Sequence, residues 1–215
     1  MATNERRETG ESGAFASVLA MPGVEEHCEL RSRFGFMAFH GGALEEVTDV
    51  VAARAAGLAG ASYYGVLHPP GLEVHVPSIL VRPAESPVLR GFLDHVEVVV
   101  AVHGYGRRER WTELLVGGAN RELARHAAVL LRPALPDYDI VDDLDRIPVE
   151  LRGLHPANPV SLPPAAGVQL ELPPRVRGRS PRSPAPGADG LSPPTRALIE
   201  GLAATARTWT DRSLP

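Results

Sequence analysis

The chain has 215 residues, 44% of them apolar, enough for one domain with its own core, and no run of about eighteen uncharged apolar residues that would span a membrane. Its formal charge is −4 and all 22 strong cations are arginine, which excludes lysine Schiff bases and P-loops and argues against non-specific nucleic-acid binding. The single cysteine, Cys28, excludes an internal disulfide framework and the Cys-cluster zinc modules.

Residues 1–12 are polar, with no apolar segment after their basic residues, and read as a frayed start of a cytoplasmic chain without a secretory signal. Phe34 to Phe39 reads as a buried strand stopped by His40-Gly41-Gly42, and Ala43 to about Gly57 as a helix with Leu44, Val47, Val51 and Leu58 at helical spacing. Ser62 to Leu67 suggests a second strand, and Ser86-Pro87 opens a short helix carrying Val88, Leu89 and Phe92. Val96 to Val102 is the strongest β segment and ends in His103-Gly104. Thr112 to Val116 stops at Gly117-Gly118, after which Asn120 caps a helix through Leu131 that Pro133 is expected to end.

Strands alternating with helices predict a single α/β domain, a mixed β-sheet flanked by helices. Eleven of the 21 prolines fall between Pro156 and Pro194 and flank Gly167 to Leu172, the last expected strand. The chain thus divides into a core over 13–178, a flexible Pro/Ser/Arg linker over 179–191, and a C-terminal helix over 192–210 that packs back through Leu198, Leu202 and Trp209.

Two apolar strands end in His-Gly, at His40 and His103. In open α/β sheets ligands gather at the carboxyl ends of strands, and a small residue after each histidine leaves room for one. Hydrogen-bonded loop histidines are the plainer alternative. Glu45 falls in the first turn of the expected helix, on the flank of its apolar stripe, where it can turn toward the strand ends, whereas Glu46 projects to water. Both acids also suit a helix N-terminus. In the last strand, alternation puts Val168, Leu170 and Leu172 on one face and Gln169 with Glu171 on the other. A carboxylate within an apolar strand must be paired, solvated or functional, so Glu171 is either a general base for a metal-bound water or a solvent-facing acid on an edge strand. Two histidines, a carboxylate and an open position make up a catalytic zinc site.

The segment His40-Gly41-Gly42-Ala43-Leu44-Glu45-Glu46-Val47-Thr48 resembles the HGGxIExxT signature of the phage-type poly-γ-glutamate hydrolases. Val102-His103-Gly104, Val116-Gly117-Gly118 and Gly167-Val168-Gln169-Leu170-Glu171-Leu172 are similar to that family's later blocks, in the same order. Leu151-Arg152-Gly153 through Asn158-Pro159 resembles the segment before the last strand, so the likeness spans roughly Phe34 to Arg177. It implies a compact zinc peptidase with a carboxypeptidase- and aspartoacylase-like fold. It makes His40, Glu45 and His103 zinc ligands, Glu171 the general base, and a γ-glutamyl amide the scissile bond. Two blocks depart from the pattern. His75-Val76-Pro77-Ser78 stands where the family has a Thr-Ser pair, and Pro159-Val160-Ser161 stands where it has Asn-Arg.

Arg175, His155, Asn158 and His75 are candidates to bind the substrate carboxylate; Arg175 and Arg177 follow the Glu171 strand, and the others sit in proline-bounded loops. His27, His68, His95 and His126 have no partner pattern, and His126 is expected in solvent. The expected partner is a carboxylate-bearing amide, with no nucleic acid and no membrane. An amidase, deacylase or cyclase acting on a small metabolite or peptide is the alternative with the same site. A non-catalytic metal-binding domain is the alternative of another class.

Overall fold

A computed structural model describes residues 13–210; the expectations for residues 1–12 lie outside the described residues. Helix α1 (Ala14–Leu19) and strand β1 (Glu25–Glu29) come first, followed by β2 (Phe34–Gly42), α2 (Thr48–Ala59) and β3 (Ser62–His68). Then come α3 (Pro87–His95), β4 (Val98–Gly104), β5 (Glu113–Val116), α4 (Arg121–Ala134) and β6 (Asp139–Val141). Strand β7 (Gly167–Leu172) and helix α5 (Pro193–Thr208) complete the order.

The strands form one mixed seven-stranded sheet in the order β1-β3-β2-β4-β7-β5-β6. Strands β3, β2, β4 and β7 run parallel, whereas β1 pairs with β3, and β5 with β7, in antiparallel fashion. Strands β2 and β4 are apolar up to their terminal histidines because both their faces are covered. On one face Phe36, Ala38, Val100, Val102, Val168 and Leu170 pack beneath helices α2, α4 and α5. On the other, Met37, Phe39, Val99 and Ala101 pack against Phe15 and Val18 of α1 and Leu89 and Phe92 of α3. Ser86 and Asn120 cap α3 and α4, accepting from Leu89 N and Leu123 N, each at 2.9 Å.

Four features depart from the expectation. Helix α2 begins at Thr48, not at Ala43. Residues 43–47 are instead a turn held to the sheet, with Ala43 N donating to His68 O at 2.9 Å and Glu45 N to His40 O at 2.8 Å. Leu58 stands 56% exposed, because the buried stripe of α2 is Val51, Ala52, Ala55 and Ala56. Pro133 lies inside the last turn of α4; the carbonyl it deprives of a helical donor belongs to Val129, on the exposed side of the helix. His126 is not free in solvent: its Nε2 lies 2.9 Å from Thr208 Oγ1, and its ring lies beside Trp209.

Candidate metal centre and active site

The carboxyl ends of β2, β4 and β7 lie at one edge of the sheet because these strands are mutually parallel. Alternation would send His40 to the same face as Phe36 and Ala38, beneath α2. An extra residue between Ala38 and Gly41 shifts the register of β2 against β3 and breaks that alternation. The rings of Phe39 and His40, consecutive in the chain, therefore both stand beside His103, at centroid distances of 4.8 and 5.2 Å.

His40 is fixed through both ring nitrogens. Its Nε2 lies 2.8 Å from Val76 O and its Nδ1 lies 3.0 Å from Glu45 Oε1. A carbonyl only accepts, so Nε2 carries a proton and Nδ1 faces the carboxylate. A neutral ring then presents a lone pair to an anion, an arrangement satisfied by a proton or a metal ion between them. The other Glu45 oxygen, Oε2, accepts from Gly104 N at 2.9 Å and lies 3.4 Å from His103 Nδ1. His103 Nε2 is buried and, among the described residues, has no partner, so Nδ1 carries the ring's polar contact.

Burial pushes the Glu45 carboxyl up, but the charge and hydrogen bonds of His103 and His40 outweigh it and hold the group well below the usual carboxylate range. Burial depresses the His103 imidazole, yet the neighbouring Glu45 and Glu171 carboxylates raise it on balance. His75 joins from the loop after β3. Its Nε2 lies 4.0 Å from Glu45 Oε1 and its ring centroid 4.3 Å from that of His40. Ligand atoms of His40, Glu45 and His75 all lie within 4.8 Å of one another. The second histidine in this group, beside His40, is thus His75, whereas His103, expected in the set, approaches from the other Glu45 oxygen. Imidazole nitrogens and a carboxylate oxygen are the donors zinc takes, so the residues fit that ion.

Glu171 pairs in register with His103 across the β4–β7 ladder. Burial, reinforced by the Glu45 charge against the opposing His103, pushes its carboxyl up to about 7. Gln169 Nε2 donates to Glu171 Oε1 at 2.8 Å, and Gln169 Oε1 accepts from Asn158 Nδ2 at the same distance. Asn158 Oδ1 in turn accepts from Val160 N at 3.2 Å. Two buried amides therefore hold the carboxyl in one orientation.

These groups line a cleft of about 410 Å³, with His155 at its mouth and Ile79, Val149 and Leu154 on its walls. Asn158 reaches the cleft, but its side chain is committed to Gln169. Arg175 does not line it, contrary to the expectation. Residues 174–178 form a turn that ends the strand alternation, and Arg175 instead lines another cavity with Trp111 and Arg182, its guanidinium 5.7 Å from the Tyr138 ring centroid. Arg177 is used structurally, donating to the carbonyls of Leu172 and Glu46 and packing against Gly104.

The sequence matches the family described as Poly-gamma-glutamate hydrolase over residues 20–180, about three quarters of the chain. The chain belongs to the poly-gamma-glutamate hydrolase family. Its fold is similar to the structure of a bacteriophage poly-gamma-glutamate hydrolase, with a TM-score of 0.66 and 20% identity over 86% of each chain. It is also similar to the zinc-free form of YNDL, with a TM-score of 0.70 and 19% identity over 86% of this chain and 90% of that one. No curated protein sequence matches. Within this hydrolase family frame, the Val76 carbonyl and the approach of His75 to Glu45 left no sequence signal except the altered block His75-Val76-Pro77-Ser78. Gln169 was legible through strand alternation, without its link to Asn158.

Proposed function

We propose that the protein is a zinc-dependent hydrolase of γ-glutamyl-type amide bonds next to carboxylates, with His40, Glu45 and His103 holding the ion and Glu171 acting as general base. When bound, zinc lowers the pKa of water to about 7 and polarises a carbonyl.

The chain's own residues then have distinct tasks. Val76 O holds the His40 tautomer that leaves Nδ1 free to ligate. The Gly104 N–H orients Glu45 from behind. Glu171 takes a proton from the attacking water and returns it to the leaving amine, a double role suited to a carboxyl poised at about 7. Gln169 occupies Glu171 Oε1, which leaves the other oxygen for the proton, and Asn158 keeps Gln169 turned that way. His155, at the mouth, meets the substrate carboxylate.

The observation that carries this reading is the placement of Glu171 beside His103, buried in the cleft and steered by Gln169. Glu171→Gln tests it. Zinc content stays at one per chain while kcat falls roughly 10²–10⁴-fold on γ-linked glutamate oligomers. Full activity in that variant would overturn it.

A second reading keeps the centre and exchanges the polymer for a small N-acyl amino acid. It is favoured by the exposed side chains of Ile79, Val149 and Leu154 on the cleft walls. Turnover of γ-linked oligomers against N-acyl amino acids, measured side by side, separates the two.

A further inference from the structure

We propose that His75 is a fourth protein donor to the metal, closing the centre at rest and leaving it when water and substrate bind. The inference rests on the reading that His40, Glu45 and His103 hold zinc. His75 Nε2 already faces Glu45 Oε1 at 4.0 Å, on the side of the carboxylate that His40 Nδ1 also faces. Its ligand atom lies within 4.8 Å of those of His40 and Glu45, a spacing that one ion placed among them can span.

The neighbouring residue adds a tether. Val76 O accepts from His40 Nε2, so the peptide that follows His75 is fixed beside one of the proposed ligands, and the His75 ring lies tilted against the His40 ring at a centroid distance of 4.3 Å. The ring is nonetheless able to leave. Residues 72–77 carry no regular secondary structure, and the side chain is 53% exposed, so swinging it out opens no hole in the core.

Four protein ligands make a zinc site closed, whereas catalysis needs one position for water. With His75 bound, the resting centre holds its ion tightly and keeps water off it. Substrate entry then exchanges an imidazole for the reacting groups. This is a property of the altered block that begins at His75.

X-ray absorption at the zinc edge, on the zinc-loaded full chain, counts the imidazoles. We expect three in the wild type and two in His75→Ala, with zinc affinity of the variant, measured by chelator competition, at least about 10-fold weaker. Two imidazoles in both proteins would overturn the inference while leaving the metal reading intact. A wild type that binds no zinc would overturn both.

Discussion

Glu171 and His103 face each other across a parallel ladder, as Cα partners in register on β7 and β4. Parallel partners in register project to the same face, so a carboxyl and an imidazole are delivered side by side by backbone pairing alone. The ladder continues with Ala101 opposite Gln169 and Val99 opposite Gly167, which places Gln169 one step deeper on that same face. The proposed general base, the amide that steers it and the histidine proposed to face the metal thus lie on one strand pair.

The pH profile follows from the Glu171 carboxyl. Burial pushes this carboxyl up to about 7, and in its proposed role as base its protonation makes kcat/KM fall as pH drops through that region. The Gln169 hydrogen bond favours the charged form. Gln169→Leu therefore moves the acid limb to higher pH, measured by kcat/KM between roughly pH 5 and 9. An acid limb unmoved in that variant would count against the coupling.

Glycine substitutions separate the site from the scaffold. At Gly42, with φ +67, a Cβ would meet His68 O at 2.4 Å and His68 N at 2.7 Å, both backbone atoms that cannot yield. Gly42→Ala is expected to destabilise by about 2 kcal/mol or more and to loosen the turn carrying Glu45. Gly57, within α2, has nothing within 4 Å of its Cβ position, and Gly57→Ala should stabilise by about 0.5–1 kcal/mol. Urea unfolding of both variants checks the opposite signs.

The front of the chain has its own pH-dependent anchor. Glu85 accepts from the backbone N–H groups of Gly13, Phe15 and Ala16 at 3.0, 2.9 and 3.1 Å, capping helix α1 from a distant loop. Partial burial raises this carboxyl, but those donors and Arg82 outweigh it and depress it on balance. A depressed folded pKa gives stability that is present above the unfolded value and lost as pH falls through the folded one. Glu85→Gln should cost about 1–2 kcal/mol at neutral pH, and the gap to wild type should close at pH values below about 4. Paired urea midpoints across pH measure it.

Arg175 tests the corrected placement. With its guanidinium beside Tyr138 in a separate cavity, Arg175→Ala should leave KM for a γ-linked substrate within about twofold. A KM increase of roughly tenfold with unchanged kcat would return this residue to the substrate site.

The parts of the fold legible in the sequence are those whose signal is local. Strands β2 and β4 read as apolar runs because both faces are covered, and the His-Gly pairs at their ends marked the correct edge of the sheet. Strand β1 was hidden because Glu25, Glu26, His27, Cys28 and Glu29 alternate between exposed and half-buried at the edge, and β6 spans only three residues. The turn carrying Glu45 has the apolar spacing of a helix, and what holds it as a turn, the carbonyl of His68, lies more than twenty residues away. The bulge that re-aims His40 depends on pairing with β3, and the partnership of Val76 with His40 depends on a loop crossing. None of these leaves a periodicity in one dimension. The Gln169 and Glu171 pair does: alternation sets both on the face opposite Val168, Leu170 and Leu172, and the structure turns that face to the cleft.

One measurement bears on the proposed chemistry most directly: an anomalous-scattering map at the zinc edge, from crystals of protein prepared without added metal. The expected result is a single peak about 2.0–2.2 Å from ligand atoms of His40, Glu45 and His103. A map with no peak there, from protein that hydrolyses γ-linked oligomers at full rate, would contradict it.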